Sequence, residues 1–405
     1  MRRIWIFLLA LALAAPAFAA TDVSSVLQEV VDKYHVPGMA AAVTTRKDII
    51  GLGCAGVRRL DPDGTTGGPA KIAIDDQFHL GSDTKAMTAT LCALYVEEGK
   101  LKWDTTLGEV FPELVPKMQP GWADVTLLEL LTHRSGAPAN PDMNKIAVWR
   151  QYDPPLLRPE GRMLLFSEVV QQPLAHQPGE AFEYSNVGYT IVGAMLERVT
   201  GKTWERLMEE RLFLPLGMES AGFGPPRASR KSPGKAGMQS TRNLSPSLLT
   251  ESQRDPTPQA MGHSAEGEPA GYGPAADNPQ IIGPAGTVHA SVTDWAAFAR
   301  MHLDAGRSYP RMLNAVTFDA LHSVPDAAKG ADQPQYACGW AVTKADWTNG
   351  LALYHQGSNT LWVAQIWVAP KRDVAIVVAT NQGGDNAAKA CSEAVEKIAA
   401  LILDE

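Results

Sequence analysis

Ser82, Asp83, Thr84 and Lys85 set a hydroxyl and an amine three positions apart. On a helix that spacing is nearly one turn, so the Lys85 amine reaches back toward the Ser82 hydroxyl. An alcohol is a weak nucleophile until a neighbour accepts its proton. A lysine accepts one only when burial or nearby positive charge lowers its pKa. The opening of a helix adds partial positive charge beside Ser82, where an oxyanion would form. Ser232 and Lys235 repeat the spacing, but the intervening Pro233 and Gly234 are poor material for a helical turn, and this copy is set aside.

Two further groups complete the set. Tyr184-Ser185-Asn186 follows the turn-forming Gln177-Pro178-Gly179. A tyrosine beside a lysine is expected to have a lowered pKa, because its phenolate gains a cationic partner, and it can then shuttle a proton to a leaving group. Asn186 can hold Lys85 and donate to a substrate carbonyl. His355-Gln356-Gly357-Ser358 closes a strand-like run. Gly357 lets a substrate backbone approach the strand edge, and the Ser358 amide can pair with the Ser82 amide as an oxyanion hole. His79-Leu80-Gly81 resembles that pattern but reads only as the lead into the nucleophile turn. Each group alone is a weak signal. Their order, each in the local structure its chemistry requires, points to hydrolysis of an amide or ester.

The elements that must position them follow from periodicity. Residues 22–34 show helical spacing and stop at Val36-Pro37-Gly38. Strand-like runs cover 39–45 and 49–57. Helical patterns run from Ser82 to Gly99, over 127–132, over 189–208 and over 293–305. Strand-like runs return at 336–343, 351–355, 361–368 and 374–380, before a last helix over 385–403. This order predicts an α/β (α+β) fold: an antiparallel sheet built from both chain ends and flanked by helices, with a mainly helical lobe inserted. The expected lobes are 21–80 with 285–405, and 81–284, with the site where they meet. Residues 225–284, dense in Pro, Gly and Ser, are expected to form a surface lid or mobile insertion.

Composition bounds the rest. With 405 residues, 45% hydrophobic and 20% charged, the chain can bury a sizeable core. Its net charge of -8 and lack of a basic run argue against nucleic acid as a partner. Met1-Arg2-Arg3, an apolar run over 4–15 and Ala17-Phe18-Ala19 have the layout of a cleavable signal peptide over 1–20. That run is shorter than the roughly 20 residues a spanning helix needs, so export to the periplasm or medium without a stable membrane anchor is expected. Cys54, Cys92, Cys338 and Cys391 lack metal-ligand spacing; export permits disulfides, and a free, buried thiol is at least as expected for each, so the sequence leaves their pairing open. Oligomeric state is not readable from the sequence.

At these motifs the chain resembles the penicillin-recognising serine hydrolases: class C β-lactamases, D-alanyl-D-alanine carboxypeptidases and related esterases. Leu130-Leu131-Thr132-His133-Arg134-Ser135-Gly136 and the run from Tyr184 to Met218 also look like that family's signatures. The resemblance implies Ser82 as nucleophile, Lys85 and Tyr184 as acid and base, and His355 and Gly357 on a strand flanking a small-molecule or peptide substrate. It implies an acyl-enzyme, no metal and no organic cofactor. Dedicated class C β-lactamases carry Lys-Thr-Gly where this chain has His355-Gln356-Gly357. A histidine is largely neutral at pH 7, so peptide or ester hydrolysis is expected ahead of β-lactam hydrolysis. A true β-lactamase and a slow penicillin-binding sensor are the alternatives. A Ser-His-Asp hydrolase is disfavoured, because no serine sits in a Gly-x-Ser-x-Gly elbow.

Overall fold

Residues 39–43 and 374–379 are apolar without alternation, a pattern that suits strands covered on both faces. The computed structural model, which describes residues 20–60, 70–226, 259–303, 312–328 and 334–403, places both runs in the middle of one sheet. Its strands are β1 (Thr21–Asp22), β2 (Gly38–Thr44), β3 (Ile49–Gly56), β7 (Ala341–Thr343), β8 (Ala352–Ser358), β9 (Val363–Ala369) and β10 (Val374–Thr380). They run in the order β1-β3-β2-β10-β9-β8-β7. Every pairing is antiparallel except the short parallel edge of β1 on β3. The two chain ends meet where β2 pairs with β10, Ala42 opposite Val377. A smaller sheet of β4 (Gln77–His79), β6 (Val288–Ser291) and β5 (Gly222–Phe223) lies in the order β4-β6-β5.

Helices of eight residues or more among the described residues are α1 (Ser24–Tyr34), α2 (Thr84–Glu97), α3 (Arg158–Val169), α4 (Asn186–Thr200), α5 (Val292–Met301), α6 (Ala315–His322) and α7 (Gly384–Leu403). Strand alternation divides the core between the two faces of the sheet. Met39, Ala41, Val43, Ile376 and Val378 pack with α1 and α7, while Ala40, Ala42, Val377 and Ala379 face the larger core containing α2, α4 and α5. Two short helices open with capping boxes, Thr106 with Glu109 and Thr126 with Glu129.

The sequence pattern is followed closely, but the strand expected over 336–343 is confined to β7 (Ala341–Thr343), and the helix expected over 189–208 is two, Asn186–Thr200 and Trp204–Met208, parted after left-handed Gly201. Strand β8 continues past His355 to Ser358, because β9 keeps pairing with it that far, Gln356 opposite Gln365 and Ser358 opposite Val363. The described part of the Pro/Gly/Ser-rich segment is only partly at the surface: residues 264–275 are half-buried or exposed, while its two flanks enter the core. Gln259, Ala260, His263, Asp277, Ile281 and Ile282 are buried, and its composition reflects tight turns against the core. The expected signal peptide lies outside the described residues except for Ala20, as do residues 61–69 and 227–258 of the expected loops. All four cysteines are free, with Cys54 half-buried and the others buried. Among the described residues no helix is long and apolar enough to cross a membrane.

Under the sheet, α5 and α6 bring together two histidines. His302 Nδ1 is 2.8 Å from His322 Nε2, and His302 Nε2 is 3.4 Å from Thr90 Oγ1. The Thr90 hydroxyl donates to Ala86 O at 2.8 Å, so one proton already fills each gap in the chain from His322 to Thr90. His302 is fully enclosed, and burial holds its pKa well below 6.5 with His322 adding to the effect. Burial lowers His322, which keeps an edge at the surface, to about 3. These are depressed bases, so between their unfolded pKa near 6.5 and their folded values the unfolded chain binds protons that the folded one refuses. Stability is therefore expected to fall as pH drops below about 6.5. Buried Asp83, whose pKa is raised, works in the opposite direction. The pair's share is checked by urea midpoints from pH 7 to pH 4.5, where a His302→Asn/His322→Asn variant should show a flatter decline than the wild type.

Candidate active site

Between β4 and α2, Gly81–Asp83 form one turn of 3₁₀ helix in which Gly81 has φ +51°. That turn leaves Ser82 half-buried at the helix tip and Lys85 fully buried one turn along. Lys85 Nζ lies 3.1 Å from Ser82 Oγ, 2.7 Å from Asn186 Oδ1 and 2.8 Å from the Ala285 carbonyl oxygen. The last two groups can only accept. Asn186 Nδ2 donates to Asn140 Oδ1 at 2.7 Å, which fixes the amide with its oxygen toward the amine. A neutral amine has two N–H groups and one lone pair. Its N–H groups go to Asn186 and Ala285, which aims the lone pair at the Ser82 hydroxyl.

The electrostatics favour that neutral amine. Burial holds the Lys85 pKa well below its usual value, and Asp83 only partly opposes this. Asp83 would be the natural counterion, but burial raises its carboxyl well above the usual range. Neither carboxyl oxygen has a hydrogen-bond partner, although Oδ1 is 3.4 Å from His355 Nδ1.

Tyr184 is half-buried and shares a hydrogen bond with Ser82. Lys85 Nζ sits 4.7 Å from the Tyr184 ring centre and 5.6 Å from that of Tyr189. The lowered tyrosine pKa expected from sequence is not found. Burial raises it, the Ser82 hydrogen bond lowers it less, and Asp83 adds to the rise. The physical reason is that the neighbouring amine is itself desolvated and does not act as a fixed cation. Tyr184 is a phenol here, a donor rather than a base.

Strand β8 closes the other side. His355 is buried, and its Nδ1 lies 3.0 Å from the Gln356 carbonyl oxygen, so Nε2 accepts from the Tyr336 hydroxyl at 2.9 Å. Burial is the largest cause lowering its pKa to about 3. It presents no cation. Gly357 and Ser358 press directly on the Ser82 turn: a Cβ on Gly357 would lie 1.9 Å from Leu80 O and 2.7 Å from Ser82 N, and one on Gly81 would lie 2.3 Å from Ser358 N. Gly357→Ala therefore forces β8 and the Ser82 turn apart. A loss of about 10²-fold or more in ester turnover is expected, with helical content unchanged by circular dichroism.

All the residues singled out from sequence thus gather here: Ser82, Lys85, Tyr184 and Asn186 touch, with His355, Gly357 and Ser358 along one wall. Sequence reasoning passed over three contributors. His133, in the signature Leu130–Gly136, is buried at φ +60° and packs at a tilt against Tyr184 with ring centres 4.2 Å apart. Its Nδ1 accepts from Ser185 N at 3.0 Å, so it sets the turn that carries Tyr184. Tyr336 orients His355, and the Ala285 carbonyl orients Lys85. Only His133 had a sequence signal, because the others depend on contacts distant in the chain. A cavity of about 690 Å³ lined by Trp103, Leu128 and Glu129 is separate from this cluster.

The arrangement can be set beside known proteins. The beta-lactamase family model matches residues 23–400. Penicillin-binding protein 4 of Amycolatopsis lactamdurans is 28% identical over 364 residues, covering 87% of this chain and 82% of that protein. Lovastatin esterase of Penicillium rubens is 35% identical over 167 residues, but the match spans 38% of this chain and only 41% of the esterase. The structure of an octameric penicillin-binding protein homologue from Pyrococcus abyssi superposes with a TM-score of 0.68 at 21% identity, covering 93% of this chain and 76% of that one, a likeness of fold. A match over residues 23–400, on the fold the sheet order describes, places the chain in the beta-lactamase family of serine hydrolases.

Proposed function

We propose that the protein cleaves an ester or a peptide-like amide through an acyl-enzyme on Ser82. The observation that carries this reading is the 3.1 Å contact of Ser82 Oγ with an amine whose other two contacts are pure acceptors. The Ser82 oxygen attacks the substrate carbonyl carbon as its proton passes to Lys85. The oxyanion is held by the Ser82 and Ser358 amides. Tyr184, bonded to Ser82, passes a proton to the leaving oxygen or nitrogen and is replenished from Lys85. Water then attacks the acyl carbon, losing its proton to the same pair, and Ser82 leaves as the alcohol.

Neutral His355 offers no fixed charge to a β-lactam carboxylate, which supports esters and peptides as substrates ahead of β-lactams. The esterase and penicillin-binding relatives fit that range. Residues 1–20 support export to the periplasm or medium. The test is labelling with a fluorophosphonate and a fluorescent penicillin, with the modified residue located by mass spectrometry. Ser82 is expected to carry both labels, and a chromogenic ester should turn over many times per enzyme. A single stoichiometric burst would instead indicate a penicillin-binding sensor, and labelling elsewhere would overturn the reading.

A further inference from the structure

Two turns meet at the candidate site, one carrying Ser82 and one carrying Ser358, and their backbones touch with only glycines between them. Backbone contact alone does not fix how such turns sit. Behind them lies one carboxylate that reaches both. His79 Nδ1 accepts the Gly81 N–H at 3.0 Å, holding the left-handed residue that precedes Ser82. With Nδ1 accepting, the ring proton is on Nε2, which lies 2.9 Å from Asp277 Oδ1 in a bent contact, both side chains being essentially inaccessible. The same Oδ1 accepts from Asn359 Nδ2 at 3.2 Å, and Asn359 is the residue after Ser358.

The carboxylate is well anchored. Asn278 N donates to Oδ1 at 2.7 Å and Gln280 Nε2 to Oδ2 at 3.2 Å. Arg150 grips the Asp277 carbonyl at 2.7 Å. A buried carboxylate is retained only where polar groups surround it, and here Asn359 beside Ser358 donates to Oδ1 while the His79 ring lies against the same oxygen from the Ser82 side. Asn359 is fastened in turn: Nδ2 also donates to Ala276 O at 3.1 Å, and Oδ1 accepts from Leu361 N at 3.2 Å.

We propose that Asp277, acting through His79 and Asn359, is a positioning residue that sets the Ser82 and Ser358 amides relative to each other and so shapes the oxyanion hole. This inference rests on the Ser82 reading and deepens it. It also gives the His79-Leu80-Gly81 triplet and the Pro/Gly-rich segment a part in the site.

The test uses the full-length enzyme with a matched pair of aryl substrates, an oxo ester and its thionoester. Sulfur is larger and a poorer hydrogen-bond acceptor, so a well-set oxyanion hole favours the oxo ester, and the rate ratio reports its geometry. A loss of folded enzyme lowers both rates equally and leaves the ratio unmoved. Asp277→Ala is expected to reduce the oxo/thiono ratio of kcat/KM by about 10-fold or more. Asp277→Asn keeps an oxygen acceptor and should stay near the wild-type ratio. His79→Asn offers Gly81 an acceptor without the link to Asp277 and should lose the ratio as Asp277→Ala does; it carries the test if that variant does not fold. An unchanged ratio in the folded variants would overturn the positioning role. Ser82 labelling, run in parallel, separates the cases: wild-type enzyme unlabelled at Ser82 sinks the underlying reading, while intact labelling with an unmoved ratio sinks only this inference.

Discussion

Lys85→Ala is expected to lower turnover of a chromogenic ester by about 10³-fold, the range assigned to a positioned general base. The loss should fall on kcat more than on KM, because the amine contacts Ser82, Asn186 and Ala285 and lies fully buried beneath the turn. Lys85→Arg should be as damaging, since a guanidinium keeps its proton at any working pH and has no lone pair to offer. In the wild type, activity needs the neutral amine and so should rise as pH climbs through the Lys85 pKa. Burial places that limb well below the usual lysine range. A pH–rate profile still rising past pH 10, or a Lys85→Arg enzyme with near-normal kcat, would remove Lys85 as the base.

The largest stability effect is expected away from the site. Arg162 is fully buried and meets Glu197 Oε1 at 2.5 Å and Glu205 Oε2 at 3.0 Å, with Arg158 sharing Glu205 at 3.3 Å. Burial disfavours the guanidinium charge, but Glu205 and Glu197 outweigh it and hold its pKa above the ordinary value. Replacing Arg162 with Met leaves two carboxylates facing each other without their shared partner. A loss of about 3–5 kcal/mol is expected, the cost of breaking a buried pair from one side. Burial already raises the Glu197 pKa, with Arg162 the main group lowering it. Without Arg162 that acid should protonate more readily, so the penalty should shrink at pH 5 relative to pH 7.5. Urea midpoints of both proteins at the two pH values decide the matter, and an equal penalty at both would argue against the charge mechanism.

Local patterns in the sequence carried much of this. Ser82 and Lys85 are three apart at a helix start, and a hydrogen-bonded turn makes them neighbours whatever the rest of the chain does. The apolar runs of β2 and β10 announced strands, which the structure buries on both faces. The helix that follows Tyr184 begins at Asn186, three residues earlier than periodicity suggested, because Ser185 caps it by accepting from Gly188 N at 2.8 Å.

What the sequence determined by itself was therefore the serine-hydrolase family, the pairing of Ser82 with Lys85 as candidate nucleophile and base, and the class of fold, readable from local spacing and periodicity. The tertiary structure alone decided the protonation of Tyr184 and His355, the role of His133, and the meeting of His79, Asp277 and Asn359. Those depend on desolvation and on contacts between segments far apart in the chain, such as His79 with Asp277 and Gly81 against Ser358. No local spacing encodes how deeply a group is buried or what faces it, and burial is what set each of those proton affinities.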